Sequence, residues 1–373
     1  MSLRILVVDD SAVVRRVLTD ELNTEPAILE VATAVDGAQA LQRLTSFPAN
    51  IIILDLEMPV MDGFGFLREL RRRGVRTPVI VFSTLSERGA RATLDALTLG
   101  ATDYVCKPTA LTPSSPKSGV QAIIKDVLMP KIIALSSRAA ALGDGPTGES
   151  PRPFTPAGLP ILRRYVPTQV QLVVIGVSTG GPTALSQVIP ALPAGYPVPV
   201  VIVQHMPAAF TRMLAARLEA RSNMPVREAQ HAETLKNGQV YLAPGDHHVT
   251  LSSDPHVGHR LHLDQSPPEN GCRPSVDPLL RTAARSLGAG VLAVIMTGLG
   301  SDGTRGADAL VATGGSVWVQ DEKSSAVWGM PGSVVRAGLA SRILPLEHIA
   351  PELIRAVNSA PARTQAATGE PRP

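Results

Sequence analysis

The chain is expected to fold as two α/β domains, each built on a parallel or mostly parallel sheet. Three observations lead there. Short β-rich runs alternate with stretches of helical periodicity twice along the 373 residues, once on each side of a Pro/Gly/Ser-rich segment. Aromatic residues make up 3% and hydrophobic residues 44%, so the cores must be built from Val, Ile, Leu and Ala, as suits strands buried on both faces. The length fits two or three domains of roughly 100–200 residues each.

In the first domain, strands are expected at Leu3–Val8, Ala27–Ala32, Ile51–Leu54, Thr77–Phe82 and Thr102–Cys106. Val13–Leu22, Gly37–Leu44, Gly63–Arg73 and Ala90–Leu99 carry apolar residues at helical spacing between them. Val120–Leu135 reads as a last amphipathic helix. The pattern implies a doubly wound parallel sheet over residues 1–125. Residues 126–167 begin as helix and then become a semi-rigid linker, with Gly143-Asp144-Gly145-Pro146 and Ser150-Pro151-Arg152-Pro153.

The second domain spans 168–358. Leu172–Val177 and Val198–Gln204 are apolar strands, and Thr183–Ile189 and Phe210–Arg221 are helices. Gln239–Leu242 and the alternating His248–Leu251 and Arg260–Leu263 suggest a strand or hairpin insertion. Val276–Leu287 and Ser301–Thr313 read as helices, Gly290–Thr297 and Ser316–Gln320 as strands. Residues 359–373, rich in Ala, Pro, Arg, Thr and Gly, are expected to be a disordered tail.

Composition narrows the function. A formal charge of +3 and a basic run of Arg68, Arg71–Arg73 and Arg76 without interleaved aromatics fit a solvated helix face better than a nucleic-acid surface. The two cysteines, Cys106 and Cys272, form no Cys-x-x-Cys motif, which fits a reducing compartment. Ile5–Val8 is too short for a signal peptide, and no apolar stretch could span a bilayer. A cytoplasmic protein with no membrane insertion and no nucleic-acid partner is expected.

Chemistry-bearing residues gather at strand C-terminal ends, the edge where open parallel sheets bind ligands. In the first domain these are Asp9 and Asp10 after strand one, Asp55 after strand three, Ser83 after strand four and Lys107 after strand five. Carboxylates so gathered repel one another unless a hard cation such as Mg²⁺ joins them. Any one acid could merely cap a helix; all of them at successive strand ends point to a site.

In the second domain, strand Leu172–Val177 runs into Gly176-Val177-Ser178-Thr179-Gly180-Gly181-Pro182. A dinucleotide fingerprint fits poorly, because Ser178 takes the second glycine position and Gln204-His205-Met206 follows where an acid is expected. An inert tight turn is a second reading. The third is a nucleophile loop of strand–turn–helix form, with the helix N-terminus near a developing oxyanion. Serine needs an adjacent base, and His205 ends the next strand at the same edge. Asp302, in Gly298-Leu299-Gly300-Ser301-Asp302-Gly303, is favoured to orient that base, with Asp246 and Asp277 as rivals on spacing. The order Ser, His, Asp differs from α/β-hydrolases. His247, His248, His256, His259 and His262 lack a zinc motif and fit a polar hairpin.

Two resemblances sharpen this. Val7-Val8-Asp9-Asp10-Ser11, Leu54-Asp55-Leu56-Glu57-Met58-Pro59 through Gly63, Phe82-Ser83-Thr84 and Cys106-Lys107-Pro108 resemble response-regulator receiver domains. That resemblance implies a flavodoxin-like fold, Asp55 as phospho-acceptor, Mg²⁺ held by Asp9, Asp10, Asp55 and the Glu57 carbonyl, and Ser83, Tyr104 and Lys107 as switch positions. The nucleophile loop, Val203-Gln204-His205-Met206-Pro207, Tyr241-Leu242-Ala243-Pro244-Gly245, Arg273-Pro274-Ser275-Val276-Asp277, Met296 through Gly303 and Val327-Trp328-Gly329-Met330-Pro331 look like the chemotaxis protein-glutamate methylesterases, the CheB family. This implies Ser178 as nucleophile, His205 as general base, Asp302 as its orienting carboxylate and the Leu299 N–H in the oxyanion hole. Relatives often carry Met at 299 and His at 272. It also implies methylated chemoreceptors as substrates, glutamine deamidation in some members, a cognate histidine kinase as phosphodonor, and no cofactor for the esterase.

Overall fold

The structure is a computed structural model that describes residues 2–107, 121–141, 162–163, 169–254 and 256–359. Of the linker expected at 126–167, residues 126–141 and 162–163 are described; its remainder, and the tail expected at 359–373 past residue 359, lie outside the described residues.

The first domain is a five-stranded parallel sheet in the order β2-β1-β3-β4-β5. Its strands are β1 (Leu3–Val8), β2 (Ile28–Ala34), β3 (Ile51–Leu54), β4 (Val79–Ser83) and β5 (Asp103–Cys106). Alternation along β1 sends Ile5 and Val7 to one apolar cluster and Leu6 and Val8 to another, so helices cover both faces. The helices are α1 (Ala12–Leu22), α2 (Gly37–Arg43), α3 (Gly63–Arg72) and α4 (Glu87–Thr98). Each begins on a side-chain cap: Ser11, Asp36, Asp62 and Ser86 accept hydrogen bonds from first-turn amides. The last helix passes through a π-helical stretch, Ile123–Leu128, into α5 (Met129–Ala141), reaching beyond the expected Leu135.

The basic run on α3 resolves into structural contacts. Arg71 donates to the carbonyls of Gly100, Val75 and Thr77, and Arg72 and Arg73 share Glu69.

The second domain holds a seven-stranded parallel sheet in the order β15-β14-β13-β6-β7-β10-β8. The strands are β6 (Leu172–Val177), β7 (Val200–Gln204), β8 (Val226–Glu228), β10 (Val240–Leu242), β13 (Val291–Ile295), β14 (Ser316–Gln320) and β15 (Arg342–Leu344). The expected hairpin forms as β11 (His248–Asp254) and β12 (Gly258–Asp264), which pair antiparallel; β9 (Glu233–Thr234) adds to β12 in a separate sheet. Helices α6 (Gly181–Val188), α7 (Ala208–Glu219), α8 (Val276–Leu287), α9 (Thr304–Ala312), α10 (Gly329–Arg336) and α11 (Leu346–Asn358) cover both faces. Leu172 and Val174 belong to one cluster, Val173, Ile175 and Val177 to the other.

The two domains pack tightly. One apolar cluster runs from Leu6 and Val8 of the first sheet to Val173 and Ile175 of the second. Tyr104 stacks on Phe210 with centroids 4.7 Å apart and planes at 9°. Arg217 of α7 reaches Asp95 at 2.6 Å and Thr98 at 2.6 Å on α4. No helix among the described residues is long and apolar enough to cross a membrane.

Candidate active site

At the first edge, Asp9, Asp10 and Asp55 bring carboxylate oxygens within 4.8 Å of one another. Lys107 Nζ lies 2.9 Å from Asp9 Oδ2 and 3.0 Å from Asp55 Oδ2. One ammonium among three carboxylates leaves excess negative charge, which a divalent cation with oxygen ligands would neutralise. Burial raises the Asp55 carboxyl above its usual range and Asp9 adds to that, with Lys107 opposing. These residues therefore fit Mg²⁺. The Glu57 carboxylate turns to Arg88 at 3.2 Å, so only its carbonyl remains as the expected ligand. Ser83 Oγ donates to Gly89 O at 3.2 Å, and Tyr104 is buried at the domain boundary.

At the second edge, β6 and β7 pair in parallel through Val177 and Gln204, so Ser178 and His205 leave adjacent strand ends together. Gly180 takes φ +78° to cap α6, and a Cβ at Gly181 would run into Gln204 Oε1. Gln204 in turn donates to the carbonyls of Ser178 at 3.0 Å and His205 at 3.2 Å, bracing the two loops. A Cβ at Gly298 would lie 2.8 Å from Ser178 Cβ, so glycine there clears the nucleophile loop.

His205 Nε2 sits 2.7 Å from Asp302 Oδ2. Asp302, 2% exposed, also accepts from Ser275 Oγ at 2.7 Å, Val276 N at 2.7 Å, Asn270 Nδ2 at 2.8 Å and Gly303 N at 2.9 Å. Burial works against its charge, but His205 and these donors hold the carboxyl below the usual range. An ionised acceptor requires Nε2 to carry the ring proton, which leaves the lone pair on Nδ1. Burial also opposes charging of His205, yet the hydrogen bond to Asp302 outweighs it, and the imidazole is pushed up to about 10. Cys272 Sγ lies 3.4 Å from Nδ1. Among the described residues, Ser178 Oγ and the Leu299 amide make no hydrogen bond.

Sequence reasoning passed over the supports of this pair. Glu269 and Cys272 exchange backbone hydrogen bonds at 3.1 and 3.0 Å around Asn270 and Gly271, at φ 54° and 73°. This is a two-residue hairpin turn of the kind Asn-Gly favours, and the dipeptide was a legible signal for it. The turn sets the Asn270 amide between Asp302 and Asp277, 2.9 Å from Asp277 Oδ2. Asp277, one rival for the orienting acid, is thus a buried neighbour of Asp302. The other rival, Asp246, pairs with Arg273 at 2.6 Å near the surface. The histidine cluster disperses: His248 bonds Ser275 N and Pro267 O, while His259 and His262 bond Ser253 and Ser252.

The first domain lies against this edge. Asp103 Oδ2 accepts from Thr179 Oγ1, the residue after Ser178, at 2.9 Å and from Lys131 Nζ of α5 at 2.7 Å. Arg138 of α5 donates to Ser325 O at 3.1 Å. Val327 is buried in the same cluster as Ile132 and Leu135 of α5, with Leu299 packed against it.

The arrangement defines a class: a receiver-like domain with a clustered-acid edge packed on a parallel-sheet domain whose loop serine leaves the strand end beside a buried histidine–aspartate pair. The sequence matches the CheB methylesterase family over residues 173–353 and the response regulator receiver domain family over residues 5–113. A protein of Nocardioides sp. named protein-glutamate methylesterase/protein-glutamine glutaminase is 46% identical over 95% of both chains. One of the same name from Trichodesmium erythraeum is 43% identical over 95% of this chain and 99% of its own. The crystal structure of the Thermotoga maritima CheB methylesterase catalytic domain is 44% identical, covering 50% of this chain and 99% of that one at TM-score 0.49. The chain belongs to the protein-glutamate methylesterase/protein-glutamine glutaminase family.

Proposed function

We propose that this chain is a phosphorylation-activated protein-glutamate methylesterase that hydrolyses glutamyl methyl esters on chemoreceptors in the cytoplasm and serves adaptation in chemosensory signalling. The observation that carries the reading is the buried His205–Asp302 pair, 2.7 Å apart, beside the Ser178 loop in a chain of this family. Ser178 Oγ attacks the γ-carbonyl carbon of the ester, and its proton passes to His205 at Nδ1, the nitrogen not committed to Asp302. The carbonyl π pair moves onto oxygen, where the Leu299 N–H and the N-terminus of α6 oppose the charge. Collapse breaks the C–O bond, and departing methoxide takes the proton from His205 to leave as methanol. Water then attacks the acyl-enzyme with the same base, returning Ser178 and a free glutamate. Attack on a glutamine side chain would follow the same course with ammonia leaving, in keeping with the relatives' second name.

Asp55 is read as the phospho-acceptor, with a histidine kinase as donor. Asp9, Asp10, Asp55 and the Glu57 carbonyl would hold Mg²⁺, which supplies charge neutralisation for phosphoryl oxygens when bound; Lys107 adds a further cation. Phosphate at Asp55 adds negative charge to a crowded edge, and Ser83 and Tyr104 re-pack in response. Tyr104 stacks on Phe210, so its movement loosens the receiver from the edge it covers.

The test is methanol release from methylated chemoreceptors with and without a phosphodonor. Release should rise with the phosphodonor. Ser178→Ala should lose it by at least about a thousandfold while Asp55 still accepts phosphate. Undiminished methanol from that variant defeats the reading.

A further inference from the structure

The base of this site has one free lone pair and two claimants. Asp302 accepts five hydrogen bonds besides that of His205, from Ser275 Oγ, Asn270 Nδ2 and the amides of Val276, Asp277 and Gly303, so its carboxylate offers no proton. Nε2 of His205 must therefore be the donor in the 2.7 Å contact, and Nδ1 the acceptor. What faces Nδ1 is the Cys272 thiol at 3.4 Å, within range for a hydrogen bond to sulfur. The thiol is held there rigidly. Cys272 closes the Asn270-Gly271 turn, whose ends are joined by two backbone hydrogen bonds and whose Asn270 side chain is anchored on Asp302 and Asp277.

We infer that Cys272 is a positioning residue for hydrolysis: in the covered conformer its thiol occupies the Nδ1 lone pair of the neutral His205 ring, and Ser178 becomes a nucleophile only by taking that place. The inference rests on the reading of Ser178 and His205 as nucleophile and base. It accounts for a serine whose Oγ makes no hydrogen bond among the described residues although it leaves the strand end beside His205. The other ionisable groups around the imidazole reach it through Asp302. They are Asp277, tied by Asn270 and by Gly306 N at 2.7 Å, and Glu269, tied to Arg281 at 2.6 and 2.7 Å. On the receiver side Asp103 is separated from the ring by Thr179 and neutralised by Lys131.

The experiment is the pH profile of methanol release by the full chain from about pH 6 to about pH 10, for wild type, Cys272→Ala and Cys272→Ser. A thiol that donates to Nδ1 stabilises the neutral ring, so removing it should move the midpoint of the ascending limb to higher pH by up to about one unit and raise the rate above that midpoint by up to about tenfold. Cys272→Ser, which keeps a hydroxyl donor at that position, should stay nearer to wild type than Cys272→Ala. The same order should appear when the His205 ring is titrated by NMR in each full-length variant, a measurement that needs no turnover. Coincident limbs and coincident ring titrations would overturn the inference and leave Cys272 as packing. Methanol release that persists in Ser178→Ala would instead sink the underlying assignment, so the two failures are distinguishable.

Discussion

Thr179→Val isolates the grip of the receiver on the nucleophile loop. The substitution keeps the β-branched shape but removes the hydroxyl that donates to Asp103 Oδ2 at 2.9 Å across the boundary. Asp103 keeps its 2.7 Å pair with Lys131, so no unpaired charge is created. The Thr179 backbone carbonyl keeps its bond from Thr297 Oγ1 at 2.8 Å, so the loop stays anchored. A hydrogen bond to a charged acceptor contributes ~1.5–3 kcal/mol. It exists only while the domains are together, so its loss weakens the covered state by that amount. At 1.4 kcal/mol per factor of ten, the covered-to-open ratio falls by about 10–100-fold. Methanol release by unphosphorylated Thr179→Val should rise accordingly, up to the rate of phosphodonor-treated wild type. The phosphodonor should then add little to the variant. A basal rate equal to that of wild type, with the treated rate also unchanged, would refute the view that this contact holds the receiver over the site.

Four further outcomes follow from the two edges. Because the His205 imidazole is held up at about 10, release should climb with pH toward that value as the ring becomes a free base. The His205–Asp302 pair stabilises the fold fully below the ordinary histidine value of 6.5, and that contribution should fade as pH rises through about 10, visible as a falling thermal midpoint. Asn270→Leu leaves two buried carboxylates each short of a donor; a cost of ~1–3 kcal/mol should lower the melting temperature by about 2–4 °C per kcal/mol. Chelation of divalent cations should abolish the gain from phosphodonor while leaving basal methanol release intact, since the acidic cluster lies in the receiver.

Strands buried on both faces announce themselves as continuous apolar runs, which is why β1, β3, β6 and β14 stand where the sequence places them. Strands β8, β9 and β15 are two or three residues long and carry no period to read. Helix α11 went unread although Leu346, Ile349, Ala350 and Leu353 share a face; Pro351 inside it argues against helix locally, and burial of that face overrides the preference. Helix α10 opens with Gly329 and has Pro331 in its first turn, where a missing N–H is tolerated. The polar residues at both edges were legible because strand ends are fixed by the apolar runs before them. Their supports were not. Asn270, Cys272 and Ser275 come from a loop whose path depends on tertiary packing, and the Asp103–Thr179 contact joins residues 76 positions apart. No local pattern reports which surface a second domain will meet.

The seven-stranded sheet ends in β8 and β15, each three residues long and bearing Arg227 and Glu228 or Arg342. An intruding strand finds few unpaired backbone groups there and must displace charge to reach them. The surface by which the second domain meets the receiver is helix and loop around Thr179 and Phe210 rather than open backbone. Separation of the two domains, as proposed for activation, would therefore bare that face without seeding strand-mediated clumping of one molecule onto another.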